Sequence, residues 1–101
     1  MITRLSADVD VRAEWEQQAR NDLLPHWVRV VAYTWARADR GGHARLTPGQ
    51  LGLVLGLGHN ATSEAIRTAR DRGILDETSS ARCLVLAGHR LNPCEARHRG
   101  L

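Results

Sequence analysis

The sequence contains no lysine and no phenylalanine. All 14 basic residues are arginine, a bias that together with abundant Ala, Gly and Leu reflects GC-rich coding more than function. Aromatics make up only 4% of the chain: Trp15, Trp27, Trp35 and Tyr33, so the large candidate core anchors all lie toward the N-terminal end. Two cysteines, Cys83 and Cys94, are too few for a disulfide scaffold in a chain of 101 residues. The N-terminal stretch MITRLSADVDVRAEWE lacks the apolar run of a secretory signal. No window approaches the ~18 consecutive apolar residues of a membrane span. These absences lead us to expect a protein of the reducing cytoplasm that does not engage a membrane. A chain of this length supports one modest core, and a deep catalytic cleft between two domains is not expected.

What is present is unevenly charged. Residues 1–39 hold five Arg and six acids, whereas residues 40–101 hold nine Arg and five acids, which gives the overall net charge of +3. A basic C-terminal half suits a polyanionic partner, although a solvated arginine-rich surface would read the same way.

The pattern of apolar residues predicts a mainly α protein with a small β-hairpin. A first helix is expected from about Asp8 to Asn21, capped by Ser6 or Asp8, with Asp8 and Asp10 at its positive end and a narrow stripe of Val11, Trp15 and Ala19. A second is expected from Pro25 to about Asp39. Its apolar face runs through Trp27, Val30, Val31, Trp35 and Ala38, widened by Val28, Ala32, Tyr33 and Ala36, and Gly41-Gly42 ends it. A short extended stretch, His43–Leu46, precedes Thr47-Pro48-Gly49-Gln50, which reads as a capping box with Pro48 at the first helical position. Leu51, Val54 and Leu55 then form the inner face of a short helix ending near Gly56. After a tight turn, Asn60 or Thr62 caps a further helix to about Arg72, with Thr62, Ala65, Ile66 and Ala69 inward. Ile74–Asp76 and Arg82–Leu86 read as two strands joined by a polar turn.

Two short helices joined by a glycine turn and followed by a hairpin form the order of a winged helix-turn-helix with an extra N-terminal helix. The expected organisation is an N-terminal helix over 1–24, the winged domain over 25–87 and a tail over 88–101. In that arrangement the second of the paired helices enters the major groove of double-stranded DNA. Its outward residues include Asn60, Ser63, Glu64, Arg67 and Arg70, with His59 in the turn before it. Asn60 and Ser63 have the donors to meet bases or phosphates, Glu64 can accept from cytosine, and Arg67 can reach guanine or phosphate. Arg82 at the hairpin tip and Arg45 at its base would lie against the DNA backbone. A homodimer fits this reading, because paired half-sites double the specificity of one short helix. Glu64 and Asp71 dilute the positive face, and the same fold also serves as a protein-interaction module, so binding of a host protein is the competing reading.

The stretch from Arg20 to Trp27, then Gly42-His43-Ala44 and Pro48–Gly56, resembles a family of small actinobacteriophage proteins with a helix-turn-helix DNA-binding domain. Ala65-Ile66-Arg67, Ser80–Leu86 and His89 extend the likeness, which spans roughly residues 5–90. The resemblance implies a sequence-specific DNA binder that regulates transcription and is not an enzyme.

Other constellations are weaker. Cys83, His89, Cys94 and His98 form C-x5-H-x4-C-x3-H, ligand types that suit zinc but without the C-x2-C knuckle of a strong motif. The competing reading has Cys83 as a small buried strand residue. Gly49, Gly52, Gly56 and Gly58 are not followed by the Lys-Ser or Lys-Thr of a phosphate loop. No Ser-His-Asp or paired-carboxylate pattern points to catalysis, and no small-molecule substrate is implied. The tryptophans, at helical spacing, read as core. Trp15 packs either on the second helix or on a second copy.

Overall fold

The computed structural model describes residues 4–89, with side-chain surroundings from Val11 onward. Helix α1 spans Arg4–Ala19, α2 His26–Arg37, α3 Gln50–Leu55 and α4 His59–Asp71; strands β1 (His43–Arg45) and β2 (Cys83–Val85) form a two-stranded antiparallel sheet. The fold is therefore mainly helical with a small sheet. No helix among the described residues is long and apolar enough to cross a membrane.

α1 begins four residues before the expected Asp8. Its sequence is rich in Ala, Glu, Gln and Arg and has no breaker, so nothing stops the helix from extending toward the N-terminus. Asp8 and Asp10 consequently lie past the first turn. The helix also stops earlier than Asn21. Arg20 and Asn21 close tight turns, their N–H groups donating to Gln17 and Gln18 carbonyls at 3.1 Å each. Asn21 Oδ1 then accepts the Leu23 N–H at 3.0 Å, an Asx turn that redirects the chain.

Pro25 precedes α2 as its N-cap in extended conformation and is not its first helical residue. The buried side of α2 is made by Arg29, Val30, Ala32, Tyr33, Thr34 and Ala36. Of the expected face, Val30 and Ala38 are buried and Trp27 and Val31 pack part-buried against the core. Ala32, Tyr33 and Ala36, which were expected to widen it, are buried too, and Trp35 alone of the five stripe residues is exposed. The small Ala32 and Ala36 permit close packing, and the buried Tyr33 hydroxyl receives a hydrogen bond from Gln50 Nε2 at 3.2 Å. Trp35 is 48% exposed and Trp15 38%. These two rings stack on one another at 6.2 Å between centroids, so Trp15 packs on α2, one of its two expected places, and Trp35 is not the core anchor expected, whereas Trp27 packs part-buried against the core.

The helix ends at Arg37, and Asp39 organises the loop that follows in place of the glycine pair. Its Oδ1 accepts N–H groups from Gly41 at 2.8 Å and His43 at 3.0 Å. Gly42 adopts φ +80°, and a Cβ there would meet His89 Cγ at 2.4 Å, so the position requires glycine twice over.

Thr47-Pro48-Gly49-Gln50 is a turn and not a helix start. Gly49 has φ 78° and ψ −6°, and the Gln50 N–H donates to the Thr47 carbonyl at 3.1 Å. That is type II geometry, which Pro-Gly favours at its two central positions. Half of the expected capping box survives: Gln50 Oε1 accepts the Thr47 N–H at 2.9 Å. α3 is shortened to six residues, with Leu51 and Leu55 buried.

In the sheet His43, Ala44 and Arg45 stand opposite Val85, Leu84 and Cys83. The expected hairpin partner, Ile74–Asp76, contributes only an isolated bridge between Leu75 and Leu86. Beyond that bridge the Val85 N–H is taken by Ser79 and not by this segment. The Ser79 hydroxyl accepts the Val85 N–H at 2.8 Å and donates to the Val85 carbonyl at 3.1 Å. The core lies between these elements, where Val30 and Tyr33, Leu51 and Leu55, Ala65, Ile66 and Ala69, and Leu75 and Leu84 meet.

Two arginines tie the helices end to end. Arg29, 4% exposed, donates from Nε to the Ala19 carbonyl at 3.0 Å and from NH2 to the Leu55 carbonyl at 2.8 Å. It thereby caps the negative ends of α1 and α3 together. Arg12 donates to the Ala36 and Ala38 carbonyls at 3.0 and 3.1 Å, capping α2. We expect Arg29→Met to destabilise the fold by about 3 kcal/mol, since it strands two inward carbonyls. Arg29→Lys should restore only part of this, because one ammonium replaces a two-pronged fork. Urea denaturation followed by circular dichroism measures both.

Candidate nucleic-acid interface

α4 is amphipathic in the sense the sequence requires. Thr62, Ala65, Ile66 and Ala69 are buried, as expected. At 100° per residue the opposite stripe is Asn60, Glu64, Arg67 and Asp71, and all four are exposed. Ser63 and Arg70 flank this stripe on the side of His59; Ser63 is half-buried and the other two are exposed. Ala61 and Thr68 flank it on the other side, facing the loop Leu23–Trp27 across a cleft of about 660 Å³.

The helix starts one residue before Asn60. Gly58 is its N-cap, with no side-chain capping bond. Asn60 is thus relieved of capping and its amide faces outward. Thr62 does not cap either; its hydroxyl donates to the Gly58 carbonyl at 2.8 Å, within the first turn. Three residues, Gly56–Gly58, join α3 to α4. Gly56 sits at φ 68°, the left-handed C-cap that ends α3. Gly52 touches the turn directly: a Cβ there would lie 2.9 Å from the Leu57 carbonyl oxygen.

Arg45 and Arg82 lie at one end of the sheet. Arg45 is in register with Cys83, and the neighbouring Leu46 N–H donates to the Arg82 carbonyl at 2.9 Å. Arg82 belongs to a tight Ser80–Cys83 turn, where Ser80 and Cys83 exchange backbone hydrogen bonds of 3.0 and 3.2 Å. Of the expected polar tip, Ser79 is buried, so Ser80, Ala81 and Arg82 form its exposed part. Ala81 and His59 line the same cleft of about 490 Å³, with Gly49 and Gly52 on its α3 side. The start of α4 and the tip of the turn therefore border one surface.

The zinc constellation divides. Cys83 is 1% exposed, as its reading as a buried strand residue has it, with Sγ 3.6 Å from His43 Nδ1. The other nitrogen of His43, Nε2, meets the His89 carbonyl at 2.8 Å. Cys94 and His98 lie outside the described residues. Among those described, no group of three or more His, Cys, Asp or Glu is placed to hold a metal.

Sequence reasoning missed which arginines are structural. Arg12 and Arg29 cap helices, Arg37 pairs with Glu16, and Arg72 lies over the Trp27 ring at 4.5 Å. For Arg29 a signal existed: it is the one charged residue in the run Trp27–Val31. Leu53, which the spacing leaves off the inner face of Leu51, Val54 and Leu55, is 84% exposed on α3. Compared with family models, curated proteins and solved structures, the chain matches none.

Gly52→Ala tests the turn that orients α4. With a backbone oxygen as the obstructing atom, we expect a loss of roughly 1–2 kcal/mol of stability, read as a fall in thermal midpoint, with helix content retained.

Proposed function

We propose that the chain is a winged helix-turn-helix protein that binds double-stranded DNA sequence-specifically and acts as a transcriptional regulator of the actinobacteriophage type that its sequence resembles. The observation that carries the reading is the one-sidedness of α4. Its inner face is consumed by the core, and its outer stripe is polar and exposed along 13 residues, about 20 Å of helix. A helix with side chains is 10–12 Å across, which matches the major groove of about 12 Å.

In this reading α3 and α4 are the paired helices, α4 is the reading helix, and the chain from Ile74 to Leu86 is a short wing. Asn60 is suited to adenine, Glu64 to the amino group of cytosine, and Arg67 to guanine or a phosphate. Ser63, Arg70 and His59 supply flanking contacts, while Arg45 and Arg82 lie toward the backbone. Binding of a host protein remains the competing reading, favoured by Glu64 and Asp71, which cancel the charge of Arg67 and Arg70 on the helix itself.

Selection of bound duplexes from a random pool should enrich one motif. On the enriched duplex, Arg67→Ala should weaken binding by roughly 5- to 150-fold, about 1–3 kcal/mol, and wild-type affinity should fall steeply with salt. If the protein retained no duplex in a salt-sensitive way, the DNA reading would fail.

A further inference from the structure

The outer stripe of α4 holds an acid at its centre. Asn60, Glu64 and Arg67 are all exposed. Along the helix axis Glu64 stands about 6 Å from Asn60 and about 4.5 Å from Arg67. Spacings of three and four residues favour side-chain pairs on a helix, yet Glu64 makes none. Its carboxylate forms no ion pair or hydrogen bond with another described residue. Arg67, three residues on, does not pair with it, and the Thr68 hydroxyl, four residues on, is spent on the Glu64 backbone carbonyl at 3.0 Å. Ala61 and Ser63 beside it are short and half-buried, so the carboxylate stands clear of its neighbours.

We infer that Glu64 is the specificity-determining residue of the interface, and that it fixes a cytosine within the short run of base pairs bounded by Asn60 and Arg67. The inference rests on the reading of α4 as the helix that enters the major groove, and it goes on to say what sequence that helix takes. A carboxylate accepts hydrogen bonds and donates none. In the major groove guanine offers two acceptors, thymine an acceptor and a methyl group, and adenine a donor beside an acceptor. Cytosine alone offers a donor, its N4 amino group, without an acceptor of its own. Elsewhere a carboxylate in the groove meets acceptors at the base edges and repulsion from the phosphates. Glu64 thus opposes binding to most sequences and favours one. Asn60 and Arg67 set the frame. They lie about 10.5 Å apart along the axis, close to three steps of 3.4 Å, which gives a core of about four base pairs.

Parallel selections from one random duplex pool test this, using the full chain as wild type, as Glu64→Gln and as Asp71→Asn, with helix content checked by circular dichroism. The wild-type motif should hold a cytosine at one position of its core. Glu64→Gln should exchange that cytosine for adenine, whose N6 and N7 match an amide, and should keep the flanking positions. It should also bind the wild-type duplex about fivefold or more weakly. Charge alone predicts the opposite sign, because removal of an acid strengthens binding to every duplex. Asp71→Asn, at the far end of the stripe, should show that strengthening with the motif unchanged. A wild-type motif without a fixed cytosine overturns the inference. So does a Glu64→Gln chain that enriches the wild-type motif or binds it more tightly. In each of these cases duplex is still retained and the DNA reading stands. A wild-type chain that retains no duplex overturns both.

Discussion

A single guanidinium holds the helical part of this molecule in register. Arg29 reaches from α2 to the last carbonyls of α1 and of α3 at once. Each of those ends carries the partial negative charge of unpaired carbonyls, and neither has a glycine-based motif that would satisfy all of them. The position of α3 relative to α2 therefore depends on a buried cation as well as on apolar contact. Because α3 sets the turn that leads into α4, the orientation of the exposed polar stripe is inherited from that bond pair. Arg12 closes the opposite end of the α1–α2 pair, so the two antiparallel helices cap one another.

The arginines thus fall into two populations with different physics. Arg12, Arg29, Arg37 and Arg72 are committed to carbonyls, a carboxylate or an indole face. Arg67, Arg70 and Arg82 are exposed on α4 and on the tight turn. In the N-terminal half three of the five arginines are committed to structure. Net charge alone blurs this distinction.

Element order and the inner face of α4 were legible from the sequence, because a helix packed on one side writes its burial as a clean 3.6-residue period: Thr62, Ala65, Ile66, Ala69. The face of α2 was legible in part: Val30 and Ala38 are inward as expected, whereas Tyr33 and not Trp35 is the buried ring, a choice made by neighbours far along the chain such as Gln50. The start of α3 was misread for a local reason. Thr-Pro-x-Gln fits a capping box, but Gly49 at the third position favours the type II turn. The hairpin expected from Ile74–Asp76 and Arg82–Leu86 is reduced to one bridge, Leu75 with Leu86, and the Ser79 hydroxyl takes the Val85 N–H. Of the candidate interface, the outward residues of α4 could be named from spacing, and the convergence of the Ala81 turn with His59 could not, since it joins parts of the chain with no shared local pattern.

The two-stranded sheet is small, and each of its edges is met by neighbouring loop residues. On the outer side of β1 the His43 N–H and carbonyl are both taken by Asp39, through its side chain at 3.0 Å and its own N–H at 2.9 Å. On the outer side of β2 the Val85 N–H and carbonyl are taken by the Ser79 hydroxyl and the Asp76 N–H. An unpaired strand edge is a template on which another chain can add a strand, the first step of edge-to-edge aggregation. Here three loop residues occupy those positions, so a protein at high local concentration presents no ready seed for cross-chain β-pairing at His43 and Val85.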